Sequence, residues 1–137
     1  MSQENVEVIR RGYDILNSGD IDAWVNHFME LLDEDVLWHP PEDVPEHATL
    51  AGREAVLRYV SDYVDAFDDF HTSAEELRES GDSVVASVRL SGRIKGSAAP
   101  VELAGAQVWT FNERGLVSRD REFRSLAEAL EPAGLRE

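Results

Sequence analysis

Apolar residues recur at spacings of three and four in the first quarter of the chain, and this pattern predicts two amphipathic helices. The apolar face of the first helix consists of Val6, Ile9, Tyr13 and Leu16. Residues 17–19 interrupt the pattern, and Asp20 is suited to cap the second helix. The apolar face of that helix consists of Ile21, Trp24, Val25, Phe28 and Leu31 or Leu32. We expect the two helices to form a hairpin, with an acidic turn at residues 33–35.

A short strand and a third helix follow. The strand at residues 36–39 must end at Pro40 and Pro41, because proline donates no ladder hydrogen bond and restricts the residue before it. A loop is expected from Pro41 to Gly52. The third helix then carries many acids, which is typical of a helix that forms a wall or lid. Its apolar side consists of Val56, Val60, Tyr63, Val64 and Phe67.

From residue 70 the apolar period changes to two, which predicts four antiparallel strands. They run over about residues 70–79, 83–94, 100–111 and 116–124. Ser125 and Glu128 then form a capping box that predicts a short final helix through Leu130. The order α-α-β-α-β-β-β-β-α contains no repeat or linker, so we predict one α+β domain over residues 1–137. A long twisted sheet tends to curl around the helices that cover it, which leaves a cavity.

Composition narrows the range of possible partners. The 137 residues carry a formal net charge of -15, which opposes binding to nucleic acid or to anionic membrane surfaces. The sequence contains no cysteine, which excludes disulfides, thiolate nucleophiles and cysteine-based zinc sites. No targeting signal or membrane span is visible, so a cytoplasmic protein is expected. The histidines at positions 27, 47 and 71 lack metal-binding spacing, and neither a metal nor another cofactor is expected.

Polar residues interrupt two of the predicted strands. Gln107 lies on a strand face that is otherwise apolar or small, where its amide must find partners or lose hydration energy. Asp120 and Glu122 share one face of the last strand, while Arg119 and Arg121 share the other. If the acids face inward, two carboxylates about 7 Å apart in a low-dielectric pocket raise one pKa, which suits acid/base chemistry near neutral pH. The same charges also suit an edge strand or a polar dimer surface.

A histidine and a set of aromatic rings complete the candidate site residues. His39 ends the first strand, and an imidazole with a pKa of about 6.5 can act there as general acid or base. Alternatively, His39 only packs beside the prolines. The rings on faces that are expected to converge belong to Trp24, Phe28, Tyr63, Phe67 and Trp109. Such rings often form a core, but in a fold with an internal cavity they also line the pocket.

Three stretches, together with the order of elements, resemble the SnoaL-like and ketosteroid-isomerase-like members of the NTF2-like superfamily. They are L-N-S-G-D-I-D-A-W at residues 16–24, V-W-T-F-N at 108–112 and A-E-A-L-E-P-A-G-L at 127–135. The resemblance covers nearly the whole chain. It implies a cone-shaped fold, a pocket for a small apolar molecule and a homodimer formed through the outer face of the sheet. It also implies a range of reactions that includes isomerisation, polyketide cyclisation, dehydration and epoxide hydrolysis.

The resemblance also assigns roles to individual positions. His39 stands where isomerase-like relatives have the aspartate that moves a proton, and Gln107 stands where they have a protonated aspartate that donates to the oxyanion. Polyketide-cyclase-like relatives have an acid at or near Glu122. Gly12 stands where isomerase-like relatives have a tyrosine donor, and Tyr13 is rotated from that position by about 100° around the helix. Authentic ketosteroid isomerase activity is therefore not expected.

Three hypotheses for the function stay open. The first is a cofactor-independent isomerase, cyclase or lyase that moves a proton on a small apolar carbonyl compound. In it His39 and Glu122 or Asp120 act as acid or base, and Gln107 donates to the oxyanion. The second is a non-catalytic dimeric ligand-binding protein, which is favoured if neighbouring groups satisfy these polar side chains. The third is an epoxide-hydrolase-like enzyme, which needs Arg89 beside Asp120 or Glu122.

Overall fold

In residues 2–40, 49–97 and 99–125, which the computed structural model describes, three helices pack against a curved six-stranded sheet. The helices are α1 (Ser2–Asn17), α2 (Ile21–Leu31) and α3 (Arg53–Asp65). The strands are β1 (Leu32–His39), β2 (Leu50–Ala51), β3 (Phe67–Ser80), β4 (Ser83–Ile94), β5 (Pro100–Phe111) and β6 (Val117–Phe123). This architecture confirms the predicted α+β fold and all four long strands at the end of the described chain.

The sheet has the order β2-β1-β6-β5-β4-β3, in which β1 and β6 are parallel and all other neighbours are antiparallel. The register pairs Asp120 with Trp38 on one side and with Trp109 on the other. It also pairs Gln107 with Glu122. Since directly paired residues project from the same face of a sheet, this register gathers five polar and aromatic side chains on one face.

The contact between α1 and α2 depends on a glycine. A Cβ atom added to Gly12 would lie 2.6 Å from Cζ of Phe28, so any side chain at this position would push the two helices apart. The close approach fixes the rotation of α1 and directs its next residue, Tyr13, into the interior, where it is 8% exposed. Asp20 caps α2 as predicted, since its carboxylate accepts a hydrogen bond from the Ala23 amide at 3.0 Å.

The last residue of α1 attaches this helix to the edge of the sheet. The Asn17 side chain accepts a hydrogen bond from the Thr72 amide at 2.7 Å and donates one to the Thr72 carbonyl. An amide side chain can satisfy both groups at once because it carries an acceptor and a donor in one plane. β3 is an edge strand, and these bonds occupy backbone groups on its unpaired side. The helix that carries Tyr13 is therefore held at a fixed place over the sheet.

The structure corrects two predicted boundaries. The acidic turn expected at residues 33–35 is instead part of β1, which begins at Leu32. β1 is irregular there, because it advances five residues from Leu32 to Leu37 while β6 advances only two, from Val117 to Arg119. The Asp33 side chain accepts hydrogen bonds from the Asp35 amide at 2.8 Å, from Asn112 at 2.8 Å and from Arg114. The predicted loop before α3 contains the two-residue strand β2, which pairs with Leu37 and Trp38 of β1.

A bulge near the start of β3 turns Phe70 toward the interior. Asp68 pairs with Arg93 and His71 with Ser91, so β3 has one residue more than β4 between these pairs. Asp69, in the bulge, has a φ of 55°, in the left-handed region that Asp and Asn tolerate better than most residues. A bulge bends its strand and redirects side chains. Phe70, which follows it, is the phenylalanine that reaches the cavity described below.

Some predictions fall outside the part of the chain that the structure describes. The predicted C-terminal helix lies there except for Ser125, and so do residues 41–48 of the predicted loop. The single-domain assignment over residues 1–137 stays a prediction. Among the described helices, none combines the length and the apolar character that crossing a membrane requires.

Candidate active site

The helices and the inner face of the sheet enclose a cavity of about 360 Å³. This volume lies in the range of pockets that bind small organic molecules. Most of its wall is apolar, with side chains such as Ile9, Leu16, Val60, Val88 and Leu90. Its polar wall residues include Tyr13, Trp38, Gln107, Trp109, Glu122 and Arg124. The cavity therefore combines a large apolar surface with a small number of polar groups.

Both acids on β6 face inward, which answers the question of facing that the sequence left open. Asp120 has no exposed surface and lies in the protein interior beside the cavity wall. Glu122 forms part of the wall itself, and its Oε1 accepts a hydrogen bond from Nε1 of Trp38 at 3.0 Å. The parallel pairing of β1 with β6 brings this indole to the carboxylate, because Trp38 lies directly opposite Asp120. Glu122 is thus the carboxyl group that a ligand can touch.

Burial changes the acidity of both carboxyl groups in the same direction. Desolvation raises the pKa of Asp120 well above its ordinary value, and the nearby charge of Glu122 raises it further, against the hydrogen bond from Gln107. Desolvation also raises the pKa of Glu122, against the opposing effects of the Trp38 hydrogen bond and the positive charge of Arg124. Raised values bring a carboxyl closer to the pH at which it can both accept and release a proton.

A chain of hydrogen bonds joins Asp120 to the first helix. Nε2 of Gln107 donates to Oδ2 of Asp120 at 3.4 Å, and Oε1 of Gln107 accepts from the Tyr13 hydroxyl. The same hydroxyl accepts a hydrogen bond from Nε1 of Trp109 at 3.2 Å. Gln107 therefore has the partners that its buried strand face demands, and one N–H of its amide remains for a ligand at the cavity wall.

Tyr13 is a site residue that the sequence analysis set aside. Its position one residue after Gly12 predicts a direction about 100° around the helix from the place of the tyrosine donor. In the structure Gly12 faces Phe28, and this close packing brings the Tyr13 hydroxyl to Gln107. Burial raises the pKa of Tyr13 well above its ordinary value, so its hydroxyl stays protonated and can act as a donor.

His39 does not join the other candidates. Successive side chains on a strand point to opposite faces, and Trp38 takes the inward direction. His39 instead pairs with Arg121, on the outward side of β6, and its Nδ1 lies 3.1 Å from Oγ1 of Thr49. It is not part of the cavity wall. The prediction that His39 converges with Gln107 and the acids was therefore wrong, and Trp38 is the residue of this strand end that reaches the site.

Four of the five predicted aromatic residues line the cavity. Trp24, Phe28, Tyr63 and Trp109 contribute to the cavity wall, together with Tyr59 and Phe70, which the sequence analysis did not single out. Phe67 is not part of the cavity wall, and it is the first residue of β3 and not part of α3. It pairs with Ile94 at the end of β4, and its ring packs against those of Tyr63 and Phe70, with centroids 5.4 and 5.7 Å away.

Arg89 and the histidines do not supply a second kind of site. Arg89 lies in an exposed cluster with Glu75 and Glu102, at 3.6 and 2.9 Å, and not beside Asp120 or Glu122. The arrangement named for an epoxide hydrolase is therefore not formed by Arg89. Within residues 2–40, 49–97 and 99–125, no group of three or more His, Asp or Glu side chains is placed to hold a metal ion.

Three helices on a curved, mostly antiparallel sheet around an internal cavity define an NTF2-like fold. The SnoaL-like domain family matches residues 9–119, and the chain therefore belongs to that family. This confirms the resemblance inferred from the sequence. A search of curated proteins finds no significant match.

Solved structures with the same fold include proteins of several kinds. A candidate SnoaL-like polyketide cyclase from Jannaschia sp. CCS1 has a TM-score of 0.75 and 22% identity, over 88% of this chain and 85% of that one. SalBIII, an epoxide hydrolase/cyclase-like enzyme in pyran ring formation of the polyether salinomycin, has a TM-score of 0.71 and 21% identity, over 89% and 91%. RV0760c from Mycobacterium tuberculosis, in complex with estradiol-17beta-hemisuccinate, has a TM-score of 0.67 and 21% identity, over 84% and 88%. At these identities the likeness concerns the fold.

Proposed function

We propose that this protein is a cofactor-independent isomerase, cyclase or lyase that moves a proton on a small apolar carbonyl compound. The observation that carries the proposal is a carboxyl group with a raised pKa, Glu122, in the wall of a largely apolar cavity. Titratable groups with displaced pKa values in a concave apolar site are frequent at catalytic centres. The cavity volume of about 360 Å³ supports a substrate of a few rings at most.

The chemistry follows from the positions of the polar groups. The Glu122 carboxylate removes a proton from the carbon next to the carbonyl, and the electron pair of that C–H bond forms the C=C bond of an enolate. The negative charge then resides on the substrate oxygen, where the free N–H of Gln107 donates a hydrogen bond. If the enolate is conjugated with a further C=C bond, protonation of the far carbon by Glu122 completes an isomerisation. Attack of the enolate on a second carbonyl instead closes a ring, and Glu122 then returns its proton to the alkoxide that forms.

Asp120 and Tyr13 act in this scheme without touching the substrate. Asp120 accepts from Nε2 of Gln107, and Tyr13 donates to Oε1 of the same amide, so the Gln107 side chain is held from both ends. A fixed donor stabilises developing charge better than a mobile one, because no reorganisation is needed during the reaction. We therefore assign Asp120 and Tyr13 as positioning residues for Gln107.

The similar structures support this class of substrate. Among them are a candidate polyketide cyclase, an enzyme of pyran ring formation and a protein that binds a steroid ester. Polyketides and steroids are largely apolar molecules with ring systems. The wall residues of this cavity are suited to such a molecule because aromatic and aliphatic side chains cover most of the surface.

Exchange of carbon-bound hydrogen with solvent tests the proposal without knowledge of the product. The protein is incubated in D₂O with a panel of cyclic ketones, sterol ketones and aromatic polyketide fragments, and proton NMR follows the loss of signals next to the carbonyl. We expect faster exchange for at least one compound. Glu122→Gln should slow this exchange by about 10²- to 10⁴-fold, the usual contribution of a general base.

Glu102→Gln is the matched control, since it removes the same charge from an exposed position beside Arg89. It should retain the exchange rate of the native protein. If no compound exchanges faster, or if Glu122→Gln exchanges as fast as the native protein, the proposal of proton transfer is wrong.

A specific observation favours a second function, non-catalytic ligand binding. Neighbouring groups satisfy Gln107 through Tyr13 and Asp120, and Trp38 bonds to Glu122, so several polar groups of the site have partners within the protein. Saturable binding of a panel compound without hydrogen exchange would support this function. The homodimer that the family resemblance implies stays a prediction, which light scattering on the purified protein can check.

A further inference from the structure

One end of the cavity combines a carboxyl group with a cluster of aromatic rings. Tyr59 and Tyr63 lie one turn apart on α3, with ring centroids 6.4 Å apart. The Phe70 ring stands at 88° to that of Tyr63, at 6.4 Å. All three residues line the cavity together with Glu122, and Tyr63 is 36% exposed. A ligand at this end therefore meets ring surfaces and a carboxylate at the same time.

The tyrosine rings are close enough to Glu122 to be affected by its charge. Burial first, and then the negative charge of Glu122, raise the pKa of Tyr59 to about 12. The same two causes raise the pKa of Tyr63, against the positive charge of Arg124. Both phenols therefore stay neutral at physiological pH. A neutral aromatic ring has a negative electrostatic potential over its face, so these rings and the Glu122 carboxylate both attract positive charge.

The protein compensates the charge of this site only in part. Glu122 accepts a hydrogen bond from Trp38, and Arg124 acts on it from the cavity wall, yet the pKa of Glu122 stays raised. A positive charge on the ligand would complete the compensation. The overall charge of -15 also attracts small cations toward the protein.

We propose that the cavity binds a small organic ammonium ion with an apolar body, in which Glu122 is the counter-ion and the rings of Tyr59, Tyr63 and Phe70 contact the charged head. Ring faces combined with one carboxylate suit a tertiary or quaternary ammonium, because its charge is spread over methyl groups and is weakly hydrated. The remaining apolar wall accommodates the rest of the molecule. This inference does not rest on proton transfer, since it requires the carboxylate form of Glu122 and no reaction.

Two ligands of equal shape test the proposal, namely 3-(trimethylammonio)phenol and 3-tert-butylphenol. They differ in charge and little in volume, so the ratio of their dissociation constants isolates recognition of the cation. Titrations followed by amide chemical shifts at pH 7.5 measure both constants. We expect the ammonium compound to bind at least about tenfold more tightly, the effect of one desolvated cation–π contact with a counter-ion.

Variants of the protein show which residues cause the preference for the ammonium compound over the neutral phenol. Glu122→Gln should reduce the ratio to nearly one, and Tyr63→Leu should reduce it about threefold, while Tyr63→Phe retains the ring and the ratio. Glu102→Gln, which removes an exposed acid that does not line the cavity, should leave the ratio unchanged. The amide spectrum of each variant shows whether it is folded.

The titrations on the native protein decide the matter even if a variant does not fold. Equal or tighter binding of the neutral phenol, or no binding of either compound, overturns the proposal. An equal loss of preference in Glu102→Gln and Glu122→Gln also overturns it, because the effect would then come from the net charge of the protein. Hydrogen exchange on a neutral ketone is a separate result, so the proposed catalytic function can fail or hold independently.

Discussion

The pKa values of two buried aspartates of this protein are shifted in opposite directions. Asp33, on β1, is 6% exposed, and Asp120, on β6, has no exposed surface. The pKa of Asp33 is lowered, chiefly by the hydrogen bond from the Asp35 amide and against its own desolvation, with further contributions from Arg114 and Asn112. The pKa of Asp120 is raised well above its ordinary value by desolvation and by the charge of Glu122.

The difference between the two sites lies in their partners. Three donors converge on Asp33, from the Asp35 amide, Asn112 and Arg114, and together they connect β1 to the turn between β5 and β6. Among the residues that the structure describes, Asp120 has a single donor, the amide of Gln107, and another acid as its neighbour. A carboxylate with several donors stabilises the fold, whereas one that lacks them costs stability and keeps a reactive group. The comparison predicts opposite results for the same substitution.

Asp33→Asn should have the largest effect on stability. Both oxygens of Asp33 are acceptors, so either orientation of an asparagine amide places its NH₂ group against the Asp35 amide or against the donors of Asn112 and Arg114. The loss of these bonds should lower the Tm by roughly 5 °C or more at pH 7. Thermal unfolding followed by circular dichroism measures the change.

The pH dependence of this loss identifies its cause. A lowered pKa in the folded state contributes stability above the ordinary value of 3.8, and that stability disappears as the pH falls through the folded pKa. The difference in Tm between the native protein and Asp33→Asn should therefore become smaller below pH 4. A difference that stays constant down to pH 3 would contradict the assignment to the charged form.

Asp120→Asn should stabilise the protein by a smaller amount. A raised pKa means that the folded state binds more protons than the unfolded state between 3.8 and the folded pKa, so the free energy of unfolding falls as the pH rises through this window. Asparagine has no charge to desolvate and can still accept from Gln107. We expect a Tm about 3 °C higher at pH 8 and little change at pH 3.

Catalysis gives the second half of this experiment. An amide oxygen accepts a weaker hydrogen bond than a carboxylate does, so if Asp120 holds Gln107 in position, Asp120→Asn should exchange carbon-bound hydrogen more slowly than the native protein. A destabilised Asp120→Asn at pH 8 would show that the charged form of Asp120 is favourable in the fold. The contrast with Asp33 would then be wrong.

The sequence was sufficient to predict the fold and those features of the site that do not depend on which face of a strand points inward. The period of two after residue 70 predicted the four long strands, and the spacing of Asp120 and Glu122 placed both acids on one face. Gln107 stood out because an amide interrupted an apolar face. These features depend on local periodicity, which a sequence records directly.

The missed residues depend on contacts between distant elements. His39 and Trp38 differ only in which side of β1 faces inward, and that is set by the parallel pairing with β6. Tyr13 reaches Gln107 only because Gly12 allows α1 to approach Phe28. A bulge of one extra residue in β3 brings Phe70 to the cavity. A signal was present in Gly12, since a glycine inside a helix often has a packing reason.

Arg114→Gln should have the smallest effect of the three substitutions. The Arg114 side chain is 70% exposed, although its guanidinium contacts Asp33, and exposed charges contribute little to stability because water screens them. The hydrogen bond from the Asp35 amide is the largest single cause of the lowered pKa of Asp33, and it belongs to the backbone. We expect a Tm within about 1 °C of the native value and a pKa of Asp33, followed by carbon NMR, that stays below its ordinary value. If the pKa of Asp33 instead returned to its ordinary value, the ion pair and not the set of hydrogen-bond donors would distinguish the two aspartates. A cation placed beside Asp120 would then be enough to lower the raised pKa of that residue.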